Sequence, residues 1–188
     1  MKVAREDVVR CFPWTEEIQD TKLPEQVVAT WLEVAKDAPY DSLEDCAFGP
    51  QIQDLTLVEH VRAVARATLA MAEVLEQEHG LKSNRDMLIA NALLHDVSKT
   101  VEYYRDQNGL VGYTKVGTML QHAFIGGAVA YKNGLPLDLV HVIQGHSPLS
   151  PTEMKTLEGV IMSLADLAVV DSLYFAKGLP SPRLQKKH

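Results

Sequence analysis

Six side chains that can bind metal ions interrupt apolar stretches of the sequence. His60 follows Leu57 by three positions, so a helix over this segment would turn its imidazole towards the core. The same spacing turns His95 and His122 inward, and His146 closes a further predicted helix. With two carboxylates, the set is His60, His95, Asp96, His122, His146 and Asp166.

The two carboxylates of this set lie where the sequence pattern predicts a core. Asp96 follows His95 directly in the segment NALLHDVSK, residues 91–99, and Lys99 lies one helical turn beyond it. Asp166 is the only charged residue between Gly159 and Val170. A buried carboxylate costs several kcal/mol unless it is paired or bound to a metal. No lysine or arginine lies in that stretch to pair with Asp166 locally.

A shared metal centre would provide a partner for all six side chains at once. Singly, an inward histidine is usually a hydrogen-bonded core residue, and a lone carboxylate can pair with a distant arginine. Six such groups on five predicted helical segments favour a metal site instead. Imidazole and carboxylate ligands suit iron, manganese, nickel or zinc. The two cysteines, Cys11 and Cys46, form no C-x-x-C pair, so they predict reduced structural thiols.

Hydrophobic periodicity predicts a mainly α fold, in which helices enclose a central core. One small β-hairpin is expected over 103–114, because Asn108-Gly109 lies between aromatic and β-branched residues. Ser83 or Asn84 is expected to cap one of the helices. The helices are predicted over 24–37, 57–79, 84–99, 118–132, 136–145 and 151–176.

Composition limits the classes of partner. The chain has 188 residues, with 18 Lys+Arg against 25 Asp+Glu, which gives a net charge of −7. This acidity argues against a broad nucleic-acid surface, although a local basic pocket could still bind a phosphorylated small molecule. The first residues lack the apolar stretch of a secretory signal, and no run approaches the roughly 18 apolar residues of a membrane helix. We therefore expect a cytoplasmic protein with neither nucleic acid nor membrane as partner.

The order of the six residues resembles the HD-domain superfamily of metal-dependent phosphohydrolases, over about residues 55–176. Two segments carry the resemblance: ALLHDVSK at 92–99 and SLADLA at 163–168. The two central histidines, in QHAFIGG and GHSP, resemble the two-metal subset of the superfamily. The short layout is most similar to small stand-alone proteins like the diadenosine tetraphosphatases. No Gly-Tyr-Pro motif, typical of one class of cyclic-dinucleotide phosphodiesterases, follows HSP.

The resemblance implies a division of the site into two metal positions. One metal would be held by His60, His95 and Asp166, the other by His122 and His146, and Asp96 would bridge them. The ions expected are two divalent transition metals, iron or manganese first and nickel or zinc as alternatives. Metal-bound hydroxide would attack phosphorus in line, with Lys99 contacting the phosphate.

The implied substrate is a phosphoester or phosphoanhydride of a small molecule, with a nucleotide as the expected class. Arg105 and Lys132 are further candidates for substrate contact. The expected domain organisation is an N-terminal helical extension packing on the core over 1–54, the HD domain over 55–178, and a polar tail over 179–188. A second copy of the chain, in a homodimer, is a candidate partner.

Two other functions remain open on the residues alone. Mixed-valence di-iron oxygenases of the same fold use the same six ligands, so ligand identity does not separate oxygen activation from hydrolysis. A non-catalytic metal-binding sensor would also keep the fold. The intact ligand set argues against such a sensor, because a chain that had lost catalysis would tolerate lost ligands.

Overall fold

A computed structural model describes residues 1–147 and 152–182 of the chain. The fold is mainly α, as predicted, and its two strands, β1 (Tyr103–Arg105) and β2 (Val111–Tyr113), pair antiparallel as the predicted hairpin. The helices are α1 (Arg5–Cys11), α2 (Leu23–Ala35), α3 (Leu57–His79), α4 (Arg85–Leu94), α5 (Lys99–Glu102), α6 (Lys115–Met119), α7 (His122–Lys132), α8 (Leu137–Gly145) and α9 (Leu157–Ala176). The predicted start of the last helix at Pro151 and residues 183–188 of the predicted tail lie outside the described residues.

Helix α3 has the bounds that its sequence predicts. Thr56 and Glu59 form a capping box at its start: Thr56 N donates to Glu59 Oε2 at 2.9 Å, and Glu59 N donates to Thr56 Oγ1 at 3.2 Å. Gly80, in the left-handed conformation with φ of 66°, ends the helix. This helix carries His60 on its buried face.

The helix predicted over 84–99 is shorter than expected, because it breaks at the His-Asp pair. Helix α4 begins after Asn84, whose side chain caps it, and ends at Leu94. Lys99 N then donates to Asp96 O at 2.9 Å, an i→i+3 bond that tightens the chain into turns. The His95 ring takes the Ala92 carbonyl at 2.8 Å, which a continuing α-helix would have used for the Asp96 amide. His95 and Asp96 therefore lie in a tight turn between α4 and α5.

Two other predicted helices also differ from the structure. The segment predicted as one helix over 118–132 contains α6 and α7, separated by Leu120 and Gln121 in extended conformations. His122 consequently becomes the first residue of α7. The last helix begins at Leu157 rather than 151, since Thr156 caps it by accepting a hydrogen bond from Gly159 N.

The main core includes residues from the N-terminal segment as well as from α3, α4 and α8. Phe12 and Trp31 stack with their ring centroids 4.7 Å apart. Trp31 Nε1 also donates to Leu93 O of α4 at 3.1 Å, which ties α2 to the helix that precedes the His-Asp turn. A second, smaller cluster joins Phe48 and Tyr174 beside the ends of α3 and α9. Residues 1–54 thus share the core with the rest of the described chain.

Cys11 and Cys46 are buried free thiols. Burial raises the pKa of Cys11 to about 12 and raises the pKa of Cys46 further still. Both side chains therefore remain protonated at neutral pH and act as small core residues.

Helix α9 is, in the described part of the chain, the one helix that is long and apolar enough to cross a membrane by length and composition. This differs from the expectation that no segment approaches such a span. Core helices of water-soluble proteins meet the same two criteria. Here α9 packs against α3, α4 and α8 and carries the buried Asp166, while 33% of its apolar window is buried.

Candidate metal centre

The structure brings all six predicted ligands together in one buried cluster. They lie on α3, in the turn after α4, at the start of α7, at the end of α8 and on α9. Their ligand atoms form two groups, and within each group these atoms lie within 4.8 Å of one another. The first group contains His60, His95 and Asp166, and the second contains Asp96, His122 and His146.

Asp96 belongs to the second group but also contacts the first, because its two carboxylate oxygens face different histidines. Its Oδ2 is 3.2 Å from His60 Nε2 and 3.4 Å from His95 Nε2. Its Oδ1 is 3.3 Å from His122 Nε2 and 3.4 Å from His146 Nε2. A carboxylate placed in this way can contribute one oxygen to each of two neighbouring cations.

Hydrogen bonds to backbone carbonyls orient two of the imidazoles. His95 Nδ1 donates to Ala92 O at 2.8 Å, and His146 Nδ1 donates to Ile143 O at 2.9 Å. Because a carbonyl can only accept, the proton of each neutral ring lies on Nδ1, and Nε2 presents a lone pair to the cluster. Such hydrogen bonds are the usual way in which metal-binding histidines are fixed.

The contacts within the first group are short but are not all hydrogen bonds. Asp166 Oδ1 is 3.2 Å from His60 Nε2 and 3.8 Å from His95 Nε2. This oxygen is buried, yet it has no hydrogen-bond partner among residues 1–147 and 152–182. An unpartnered buried carboxylate oxygen is costly, and a cation bound by the three side chains would satisfy it. The donor set therefore fits a divalent metal that accepts nitrogen and oxygen ligands.

The electrostatic surroundings keep both carboxylates ionised. Burial tends to raise the pKa of Asp96, but Lys99 and the surrounding histidines hold that pKa well below its usual range. Burial likewise opposes ionisation of Asp166, and His60 and His95 lower its pKa more strongly than burial raises it. Both groups are consequently available as anionic ligands at neutral pH.

Lys99 lies against this cluster, as its position after Asp96 predicts. Its Nζ is 2.8 Å from Asp96 Oδ2 and 4.1 Å from the centroid of the Phe48 ring. Burial alone would lower the pKa of Lys99, but the Asp96 carboxylate raises it above the usual value. The ammonium group is therefore a fixed positive charge at the edge of the cluster.

A cavity of about 140 Å³ opens beside the two groups of ligands. Its walls come from the loop at Phe48, from Lys99 and Tyr103, and from the second half of α9 as far as Tyr174. Among the described residues that line it, Lys99 is the only lysine or arginine. The cavity thus combines aromatic walls, a single permanent cation and four of the six candidate ligands, Asp96, His122, His146 and Asp166.

Two of the predicted substrate contacts lie elsewhere. Arg105 Nη1 donates to Gln53 O at 2.9 Å and to Gly109 O at 3.2 Å, which fixes it along the hairpin. Lys132 pairs with Glu33 at the far end of α7, and its side chain is 69% exposed. Neither residue lines the cavity, so the structure does not bring either one to the site.

Two residues of the site were not anticipated from the sequence. Phe48, which lies between the helices predicted over 24–37 and 57–79, packs its ring on His60 with the centroids 4.4 Å apart. Glu102 is buried, and its Oε2 is 3.1 Å from His122 Nδ1. The signal in the sequence for Glu102 was weak: a single carboxylate one helical turn after Lys99, between Val101 and Tyr103.

Comparison with known proteins identifies the family of the chain. Residues 57–168 match the model of the HD domain family. Over 113 residues the chain is 35% identical to the dihydroneopterin 2′,3′-cyclic phosphate phosphodiesterase of Methanocaldococcus jannaschii. The aligned region covers 60% of this chain and 45% of that relative, so the chain spans less than half of the relative's length. No solved structure gave a significant match. Because the family match covers more than half of the 188 residues and contains all six candidate ligands, the chain belongs to the HD domain family, as its motifs predicted.

Proposed function

We propose that this protein is a metal-dependent phosphodiesterase that acts on a small phosphorylated molecule at a two-metal centre. The observation that carries this proposal is the position of Asp96, with one carboxylate oxygen towards each group of ligands. His60, His95 and Asp166 would hold one ion, His122 and His146 would hold the other, and Asp96 would bridge them. Nitrogen and oxygen ligands without thiolates favour iron or manganese, with nickel or zinc as alternatives.

The metal ions, when bound, supply an activated water near neutral pH and positive charge for the phosphoryl oxygens. The residues of the chain orient the ligands and add a further positive charge. The hydrogen bonds of His95 and His146 keep their Nε2 atoms directed at the site. Lys99, which lines the cavity, places its ammonium group where a phosphate oxygen can reach it and can stabilise the charge that develops there.

Apart from the charge that bound metal ions would supply, the side chains of the cavity offer a substrate a single cation, which favours a substrate with one negative charge. Lys99 is its only lysine or arginine among the described residues, and Asp96, Asp166 and Asp171 also line it. A phosphodiester carries one negative charge, whereas a nucleoside triphosphate carries several and is usually bound by additional cationic side chains. The relative from Methanocaldococcus jannaschii is named as a cyclic phosphate phosphodiesterase. We therefore infer a phosphodiester substrate, with the cyclic phosphate of a nucleotide-like molecule as the first class to test.

Residues 1–54 serve the site as well as the core in this proposal. Phe48 lies outside the segment that matches the HD domain family, yet it packs on His60 and beneath the Lys99 ammonium group. The N-terminal extension would then help to hold a ligand and a phosphate-binding residue in place. The HD domain over 55–178 would supply the six ligands themselves.

The substrate assay compares adenosine 2′,3′-cyclic phosphate with ATP, using protein loaded with manganese or iron(II). We expect ring opening of the cyclic phosphate with a kcat/KM at least about tenfold above that for ATP, a difference of roughly 1.4 kcal/mol in the barrier. Protein carrying Asp96→Asn gives the background rate. Phosphate release from ATP without ring opening would contradict the diester assignment. Oxygen consumption with iron(II), in the absence of either hydrolysis, would support the di-iron oxygenase instead.

A further inference from the structure

Glu102 is a buried carboxylate that touches a candidate ligand from the side opposite the metal position. Its side chain is buried, and its Oε2 lies 3.1 Å from His122 Nδ1, an ion-pair distance, although this oxygen has no hydrogen-bond partner among the described residues. The other ring nitrogen, His122 Nε2, is 3.3 Å from Asp96 Oδ1. The His122 imidazole therefore lies between two carboxylates, Glu102 on its outer side and the bridging Asp96 on its inner side.

The position of His122 at the start of a helix explains why it needs a partner from another element. His95 and His146 donate their Nδ1 protons to the carbonyls of Ala92 and Ile143, three residues earlier in their own helices. His122 is the first residue of α7, and the two residues before it are extended. It consequently has no preceding turn of helix to offer such a carbonyl. The Glu102 carboxylate, at the end of α5, lies beside Nδ1 instead.

We propose that Glu102 is a positioning residue for the second metal of the centre. Its negative charge beside Nδ1 favours a proton on that nitrogen, which leaves the lone pair of Nε2 for the cavity. An anion beside Nδ1 also makes the imidazole a better metal ligand. The inference rests on the proposed function, because it assumes that His122 and His146 hold an ion.

The surrounding backbone fixes both partners in this contact. Thr114 N donates to Glu102 O at 2.9 Å, which ties the end of the hairpin to the end of α5. Gly117 packs so closely against the same carbonyl that an added Cβ would lie 2.2 Å from it. On the other side, the Ser98 hydroxyl donates to His122 O. The Glu102 carboxylate therefore reaches a histidine whose own backbone is held in place.

Titration of the metal-free full chain with manganese, in competition with a chromophoric chelator, tests this inference without any measurement of activity. Glu102→Ala should weaken one of the two sites about 10- to 100-fold and leave the other unchanged, the usual cost of losing such a partner. Glu102→Gln keeps an acceptor oxygen and loses the charge, so it should weaken the same site by less. Glu153→Gln, on an exposed side chain, is the matched control and should have no effect.

Two further measurements separate positioning from a structural role. Circular dichroism and the Tm of the metal-free protein should match the wild type for Glu102→Gln. In a His122→Ala background, Glu102→Ala should cost no additional metal affinity, since its effect acts through His122. Wild-type affinities at both sites in the Glu102→Ala variant, or equal weakening of both sites, would overturn the proposal. Wild-type protein that binds two ions but hydrolyses no phosphodiester would overturn the proposed function and leave the role of Glu102 standing.

Discussion

Replacing Asp96 with asparagine should remove both metals and lower kcat/KM by about a thousandfold or more, equivalent to roughly 4 kcal/mol in the barrier. Asparagine keeps the size of the side chain but has only one acceptor oxygen and no charge. Whichever way the amide turns, it presents an NH₂ group to one pair of histidines, where Asp96 now presents an oxygen at 3.2 to 3.4 Å. The two metal positions would then no longer share an anionic bridging ligand.

The metal content of purified Asp96→Asn, measured beside its activity, checks this expectation. Asp138→Asn is the matched control, because Asp138 lies exposed in the first turn of α8 and away from the cavity. Its metal content and activity should equal those of the wild type. The Tm of the metal-free proteins shows whether each variant is folded. A folded Asp96→Asn protein that keeps both ions, or that turns over normally, would contradict the bridging role.

Replacing Lys99 with methionine should leave the metal content intact and lower kcat by about 100- to 1,000-fold, the range found when one group that stabilises developing charge is removed. Methionine preserves the apolar stem that packs on the Phe48 ring. The variant loses the ammonium group that is 2.8 Å from Asp96 Oδ2. Lys99 lowers the pKa of Asp96 most, but His95, His146 and His60 lower it too and remain in the variant, so we expect the carboxylate to stay available to a metal.

Lys132→Met is the control for this experiment, because Lys132 is an exposed lysine paired with Glu33 and does not line the cavity. It should show wild-type activity. A Lys99→Met protein with an unaltered rate would place Lys99 outside the reaction and reduce its role to packing beside Asp96. Loss of metal along with activity would instead show that Lys99 supports the ligands rather than the phosphate.

The sequence predicted the candidate ligands because each one breaks a local pattern. His60 lies on the apolar stripe of a helix whose start and end have clear capping signals, and both its bounds and its burial follow from that pattern. Asp166 is the lone charge in an apolar helix. Such residues stand out in a single sequence, since a buried charge demands a partner.

The remaining parts of the site depend on contacts between distant segments. The helix breaks after Leu94 because the His95 side chain forms a hydrogen bond with a backbone carbonyl. Hydrophobic periodicity does not predict such a contact. Glu102 and Phe48 become part of the site only when the chain brings them to His122 and His60. Arg105 was a plausible phosphate contact by charge alone, but the hairpin turns it towards Gln53.

The number of metal ions per chain tests the central claim most directly. Protein purified without chelators can be measured by inductively coupled plasma mass spectrometry, before and after reconstitution with iron(II) or manganese. The two groups of ligands around Asp96 predict about two transition-metal ions per chain. One ion or fewer, even after reconstitution, would contradict the two-metal centre and would leave His122 and His146 as supporting residues around a single metal.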